Sequence, residues 1–266
     1  MFNFEISKLL KNWRFIFFAT LIILVPEIDL LIQLKSQIEA GFDTAKFILN
    51  PAEVSFLASN SIGHYGQMVL IWLLPLILLN LYTDHQVSEV KNGYLNATLI
   101  RNSRKKFYQT KLALSAIIPA FLVLLSLVIN FLIALLIWHG GKDFSGMEDE
   151  LQQLKIIKPF QLLVLQMEHP YSTVVIYIFI FTLSVAIFGM VTQAIVFMFP
   201  NYYIAYPFAF LLWIIQVMSP YSSTYFMQPF IEYGLRSIIP AAIVYLSSSL
   251  IVIGIGYFRQ VRADVL

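Results

Sequence analysis

The chain has 266 residues, of which 59% are hydrophobic and only 12% charged, with a formal net charge of +2. An ordinary soluble domain is nearer half apolar and a quarter charged, so this composition points into a bilayer and leaves no length for a separate soluble catalytic domain. The charge is too small to suggest nucleic-acid binding, and the absence of cysteine excludes disulfides, thiolate catalysis and cysteine-held metals.

Residues 2–13 place Phe2, Ile6, Leu9, Leu10 and Trp13 on one helical face, with Glu5, Lys8, Lys11 and Asn12 elsewhere. This spacing predicts a short amphipathic helix at the membrane surface with its lysines toward anionic headgroups. A helical extension of the first span is an equal reading. A signal peptide is a poorer one, because no small-x-small cleavage site follows Leu24.

Six apolar stretches follow, at about residues 14–34, 67–82, 112–138, 171–199, 202–218 and 238–258. Each approaches the roughly 20 apolar residues that cross about 30 Å of hydrocarbon. The expected fold is therefore all-α: one polytopic membrane domain over residues 1–266, with six transmembrane helices, an interfacial helix at the amino end and an amphipathic segment between spans two and three. Pro200 and Asn201 read as a tight turn, and Pro207 bends the fifth span. Residues 219–237, rich in Tyr, Phe and Pro but nearly uncharged, suit an interfacial or re-entrant hairpin.

Pro26, Glu27 and Asp29 interrupt the first span. Either the helix ends near Val25 and both carboxylates lie in the outer interface, or they face the bundle interior as substrate-contact or coupling groups. A charge at mid-bilayer costs about 2.5–3.5 kcal/mol on insertion scales, so the second case demands a function.

Eleven of the 17 basic residues fall at the two termini and between spans two and three. The positive-inside rule then predicts cytoplasmic termini, in agreement with an even number of spans.

Motifs for catalysis are absent. Gly140-Gly141-Lys142 lacks the upstream glycine and the hydroxyl of a phosphate loop. His64, His85, His139 and His169 show no metal-ligand spacing, and no Gly-x-Ser-x-Gly elbow occurs. The expectation is a non-enzymatic chain without cofactor or metal.

Residues 84–100 place Val87, Val90, Tyr94 and Ala97 at helical spacing, opposite Ser88, Lys91, Asn92 and Asn96, and the cationic run 101–106 follows. Glu89-x-x-x-Gly93, then Leu99, Ser103-Arg104 and Lys111 resemble the type-2 permease family of ATP-binding-cassette (ABC) exporters. In that family such residues mark a coupling helix between spans two and three that docks in a separate ATPase. The version here looks most like stand-alone permeases of Gram-positive bacteria that export, or give immunity to, antibiotic and toxic peptides. It departs from the pattern at Val90, Tyr94 and Asn102. The closing Tyr257-Phe258-Arg259 is similar to the family's usual end.

The resemblance implies coupling through Glu89, Gly93, Tyr94, Arg104, Lys105 and Lys111. It implies cytoplasmic ATPase partners that carry the ATP and Mg, and a second permease subunit, identical or related. Glu27, Asp29, Gln193, Tyr221, Tyr225 and Phe226 are the expected pathway residues for an amphipathic peptide or lipid-like substrate leaving from membrane lipid. Two rivals stand beside this reading: a membrane-anchored immunity or binding protein without transport, and a secondary transporter.

Overall fold

The computed structural model describes residues 2–39, 49–58, 65–92, 103–142, 144 and 160–262. Those residues are helical apart from turns and short connections. In chain order they form α1 (Phe2–Leu9), α2 (Trp13–Glu39), α3 (Pro51–Val54) and α4 (Tyr65–Leu78). A π-helical turn (Leu79–Thr83) joins α4 to α5 (Asp84–Lys91). Next come α6 (Arg104–Ile137), α7 (Gln161–Glu168) and α8 (Pro170–Met198). The last three are α9 (Tyr202–Met218), α10 (Thr224–Met227) and α11 (Leu235–Arg262).

Five helical stretches are long and apolar enough to cross a membrane: Trp13–Glu39, Tyr65–Thr83, Arg104–Ile137, Pro170–Met198 and Leu235–Arg262. The sixth apolar stretch forms the shorter helix Tyr202–Met218. At 17 residues it rises only about 25 Å. Even so, the chain passes from one end of the bundle to the other between residues 199 and 230. Gln260 on α11 bonds the Phe197 carbonyl and accepts from the Tyr108 hydroxyl of α6 at 3.1 Å, which gathers three helix ends. The Phe230 N–H reaches Gln166 of α7 at 2.7 Å, at the opposite end, where α8 begins. The first of these ends carries Arg104, Lys105, Lys106, Arg259 and Arg262 and is called the basic end below; the other is the far end.

α2 does not end at Val25. The helix runs unbroken for 27 residues with Pro26 inside it. A proline has no N–H for the carbonyl four residues earlier, and apolar surroundings offer no water in exchange. Ser126 of α6 supplies the missing donor, at 3.0 Å from the Ile22 carbonyl. The same device recurs in α4, where the Trp213 indole donates to the Ile71 carbonyl at 2.8 Å, four residues before Pro75.

The bundle centres on α8, which packs against α6 on one side and α11 on the other. Two glycines permit those contacts. A Cβ on Gly189 would collide with the Ser115 carbonyl of α6, and one on Gly256 would lie 2.6 Å from the Ala194 carbonyl oxygen. Helices that associate without help from water gain their packing from such small residues.

The segment around α3 was not foreseen. Residues 50–58 are buried in the far half of the bundle, and their backbone groups bond both one another and side chains. Asn130 Oδ1 accepts from the Phe56 N–H at 2.9 Å, while Gln67 donates to the Leu57 carbonyl at 3.0 Å.

Candidate functional site

Four ionisable side chains converge at the basic end. Lys111, near the start of α6, is 1% exposed. Its ammonium donates to Glu5 Oε2 at 2.8 Å and to Glu89 Oε2 and Oε1 at 3.0 and 3.2 Å. Lys8 donates to Glu89 Oε1 at 2.7 Å. Two carboxylates and two ammoniums balance, as removal from water requires. The Phe107 and Tyr82 rings, 5.5 and 5.8 Å from the Lys111 nitrogen, offer their negative faces to it. Burial pushes the Glu89 carboxyl up, but the charges and hydrogen bonds of Lys111 and Lys8 outweigh it and leave it below its ordinary value.

Local structure explains the convergence. Glu5, Lys8 and Leu9 share the inward side of α1, whereas Leu10 and Trp13 are exposed. The expected polarity of α1 is thereby corrected: Lys8 turns inward to a protein carboxylate, because a buried partner holds it better than a solvated headgroup would. The π-helical turn sets the direction of α5. Asn80 donates to the Leu76 carbonyl at 2.8 Å and accepts from the Tyr206 hydroxyl at 3.0 Å. Ser88 then meets the Tyr202 hydroxyl at 3.1 Å, so α9 braces both the turn and α5. Single π turns inside α-helices are frequently found at functional sites.

The expected coupling residues divide. Glu89 and Lys111 meet each other inside the protein, and Glu89 is buried. Arg104 is half-buried, its guanidinium 6.0 Å from the Tyr108 ring, and Lys105 is exposed. Gly93 and Tyr94 lie outside the described residues. α5 itself is described to Lys91, with Asn92 as its cap.

The expected pathway residues do not form one site. Asp29 is buried and accepts from the Gly66 N–H at 2.9 Å, in the first turn of α4, where a carboxylate complements the helix dipole. Gln33 donates to it at 3.4 Å. Glu27 lies on the flank of α2, between its buried and exposed sides. Gln193 is fully buried in α8. Phe226 packs 5.5 Å from the Tyr245 ring as part of the core. Tyr225 stacks on Tyr233 at 4.1 Å, and Tyr221 is exposed.

Sequence reasoning missed Glu5 and Lys8 as site residues. Their signal was a pair three residues apart in α1, the spacing that puts two side chains on one helix face. It also missed Ser126 and Asn130. Asn130 donates to the Pro26 carbonyl at 2.9 Å and so joins α2, α6 and the α3 segment.

Residues 17–168 match the family described as Protein of unknown function (DUF2705). The chain belongs to that family. The matched region runs from α2 to the end of α7 and includes Glu27, Asp29, Glu89 and Lys111. A relative, Uncharacterized protein YybM of Bacillus subtilis (strain 168), is 30% identical over 236 residues, covering 89% of this chain and 88% of its own. No solved structure matches.

Proposed function

We propose that this DUF2705 chain is the permease half of an exporter driven by a separate ABC ATPase. It spans a bacterial plasma membrane six times with both termini in the cytoplasm, pairs with a second permease subunit, and moves an amphipathic peptide or lipid-like substrate out of the membrane. The observation that carries this reading is the Lys111–Glu89 contact. Residues that the sequence motif sets on two separate helices meet at the basic end and are tied there to α1. A push on α5 would therefore move α6 and α1 with it, as coupling to an ATPase requires. The end-to-end passage of residues 199–230 supports six spans: α9 begins the crossing and residues 219–230 complete it. Exposed Lys105 and Lys106 lie where a cytoplasmic partner would approach.

The test has two arms. A photo-crosslinking residue at Lys105 should capture an ABC ATPase in the native membrane. Proteoliposomes holding the chain and that ATPase should hydrolyse ATP faster with amphipathic helical peptides, and should accumulate them, but should not respond to sugars. Capture of no nucleotide-binding protein, or peptide binding without ATP-dependent accumulation, would favour the immunity-protein reading instead.

A further inference from the structure

Glu27 has both carboxylate oxygens buried and no hydrogen-bond or ionic partner among the described residues. It sits on α2 between the buried stripe of Ile22, Pro26, Asp29 and Leu30 and the exposed apolar row of Leu24, Ile28 and Leu31. Its place is about 20 Å along α2 from Trp13, well inside the apolar stretch. An ionisable group at such depth is costly, and those that occur commonly mark a ligand, ion or proton pathway.

The neighbouring charge does not answer it. Asp29, the nearest ionisable residue in α2, is turned to Gly66 and Gln33. Among the described residues no group of three or more His, Cys, Asp or Glu side chains could hold a metal ion. A divalent cation would need several oxygen ligands, whereas an organic ammonium needs one carboxylate and an apolar wall. Leu24, Ile28 and Leu31 beside Glu27 are exposed and apolar, so a turn of the Glu27 side chain toward them would meet lipid rather than water.

We infer that Glu27 is a binding site for a lipophilic amine that reaches it through the bilayer. The amine arrives neutral, as it must to dissolve in lipid. The Glu27 carboxyl passes its proton to the amine nitrogen, leaving a carboxylate–ammonium pair with no further reactant. The alkyl chain lies against Leu24, Ile28 and Leu31. This requires that α2 span the membrane and does not require an ATPase, so binding by the chain alone separates its failure from that of the permease reading.

The experiment uses the purified chain in phospholipid nanodiscs. Dicyclohexylcarbodiimide adds only to a protonated carboxyl in an apolar setting: the acid oxygen bonds the carbodiimide carbon and the proton moves to its nitrogen. Peptide mass spectrometry should find the adduct on Glu27, and dodecylamine should protect it while dodecanol does not. Radiolabelled dodecylamine, corrected for uptake by empty nanodiscs, should bind Glu27→Gln more weakly by roughly tenfold or more, and Glu27→Asp should retain part of the affinity. No adduct on Glu27, equal protection by dodecanol, or unchanged binding by Glu27→Gln would each overturn the inference. The protection assay runs on the unmutated chain and stands even if Glu27→Gln fails to fold.

Discussion

The Trp213 indole reaches across from α9 to the Ile71 carbonyl of α4 at 2.8 Å, where Pro75 has removed the N–H that this carbonyl would otherwise accept. One side chain thus repairs a helix that it does not belong to. Trp213→Phe keeps an aromatic ring but deletes the donor and part of the buried indole, leaving a carbonyl unsatisfied beside a small void. The expected loss is about 1–3 kcal/mol, read by unfolding in mixed micelles. Trp72→Phe, at a side chain that is exposed, should change stability little.

Gly189 and Gly256 hold α8 against its two neighbours. Alanine at either position must push a backbone carbonyl aside, and a loss of about 1–3 kcal/mol is expected in each case. A Cβ on Gly254 meets nothing, so Gly254→Ala is the control. Equal stability of all three variants would show that the close approach of α8 to α6 and α11 is absent in the membrane.

Breaking the cluster at the basic end should cost more than removing it. Lys111→Met leaves two buried carboxylates facing one lysine, with an expected loss of about 3–5 kcal/mol. The double variant Lys111→Met with Glu89→Gln should recover much of that loss. Glu89→Lys would place three ammoniums together, so it should fail to accumulate in the membrane rather than yield a folded, uncoupled protein.

Acid should loosen the same cluster. The folded-state Glu89 carboxyl lies below its ordinary value of 4.5, so between the two values the unfolded chain holds more protons than the folded one. The stabilisation is complete above about pH 4.5 and is lost as pH falls through the lower, folded-state value. Thermal unfolding of the wild type between pH 7 and pH 3 should show that slope, and Glu89→Gln should show a shallower one.

The lack of cysteine makes topology direct to measure. Single cysteines at Lys105 and at Glu232, both exposed, should react with an impermeant maleimide from opposite sides of the membrane. Labelling of both from the same side would rule out a crossing by residues 199–230.

Much of the fold was legible in the sequence because lipid imposes a rule that a single stretch can satisfy. Apolar runs near the required length announced α2, α4, α6, α8 and α11, and most of their ends fall within a few residues of the expected ones. α6 begins at Arg104 rather than near 112, because a basic helical extension past the apolar run carries no hydropathy signal. The candidate site was only half legible. Glu89 and Lys111 were marked by spacing, yet they read as groups offered to a partner. That they pair with each other, and with Glu5 and Lys8 more than 80 residues away in the chain, follows only from where α1 folds back.

Composition and hydropathy by themselves determined the helical class, the apolar stretches and the clustering of positive charge, since each is a local property of water, lipid and backbone. The tertiary structure decided which polar groups are answered. It gave Pro26 and Pro75 their donors, set Asp29 on the first turn of α4, closed four charges around Lys111, and left Glu27 without a partner among the described residues. Partnership inside an apolar bundle depends on which helices lie side by side and on the face each one turns, and no single stretch of sequence contains that information.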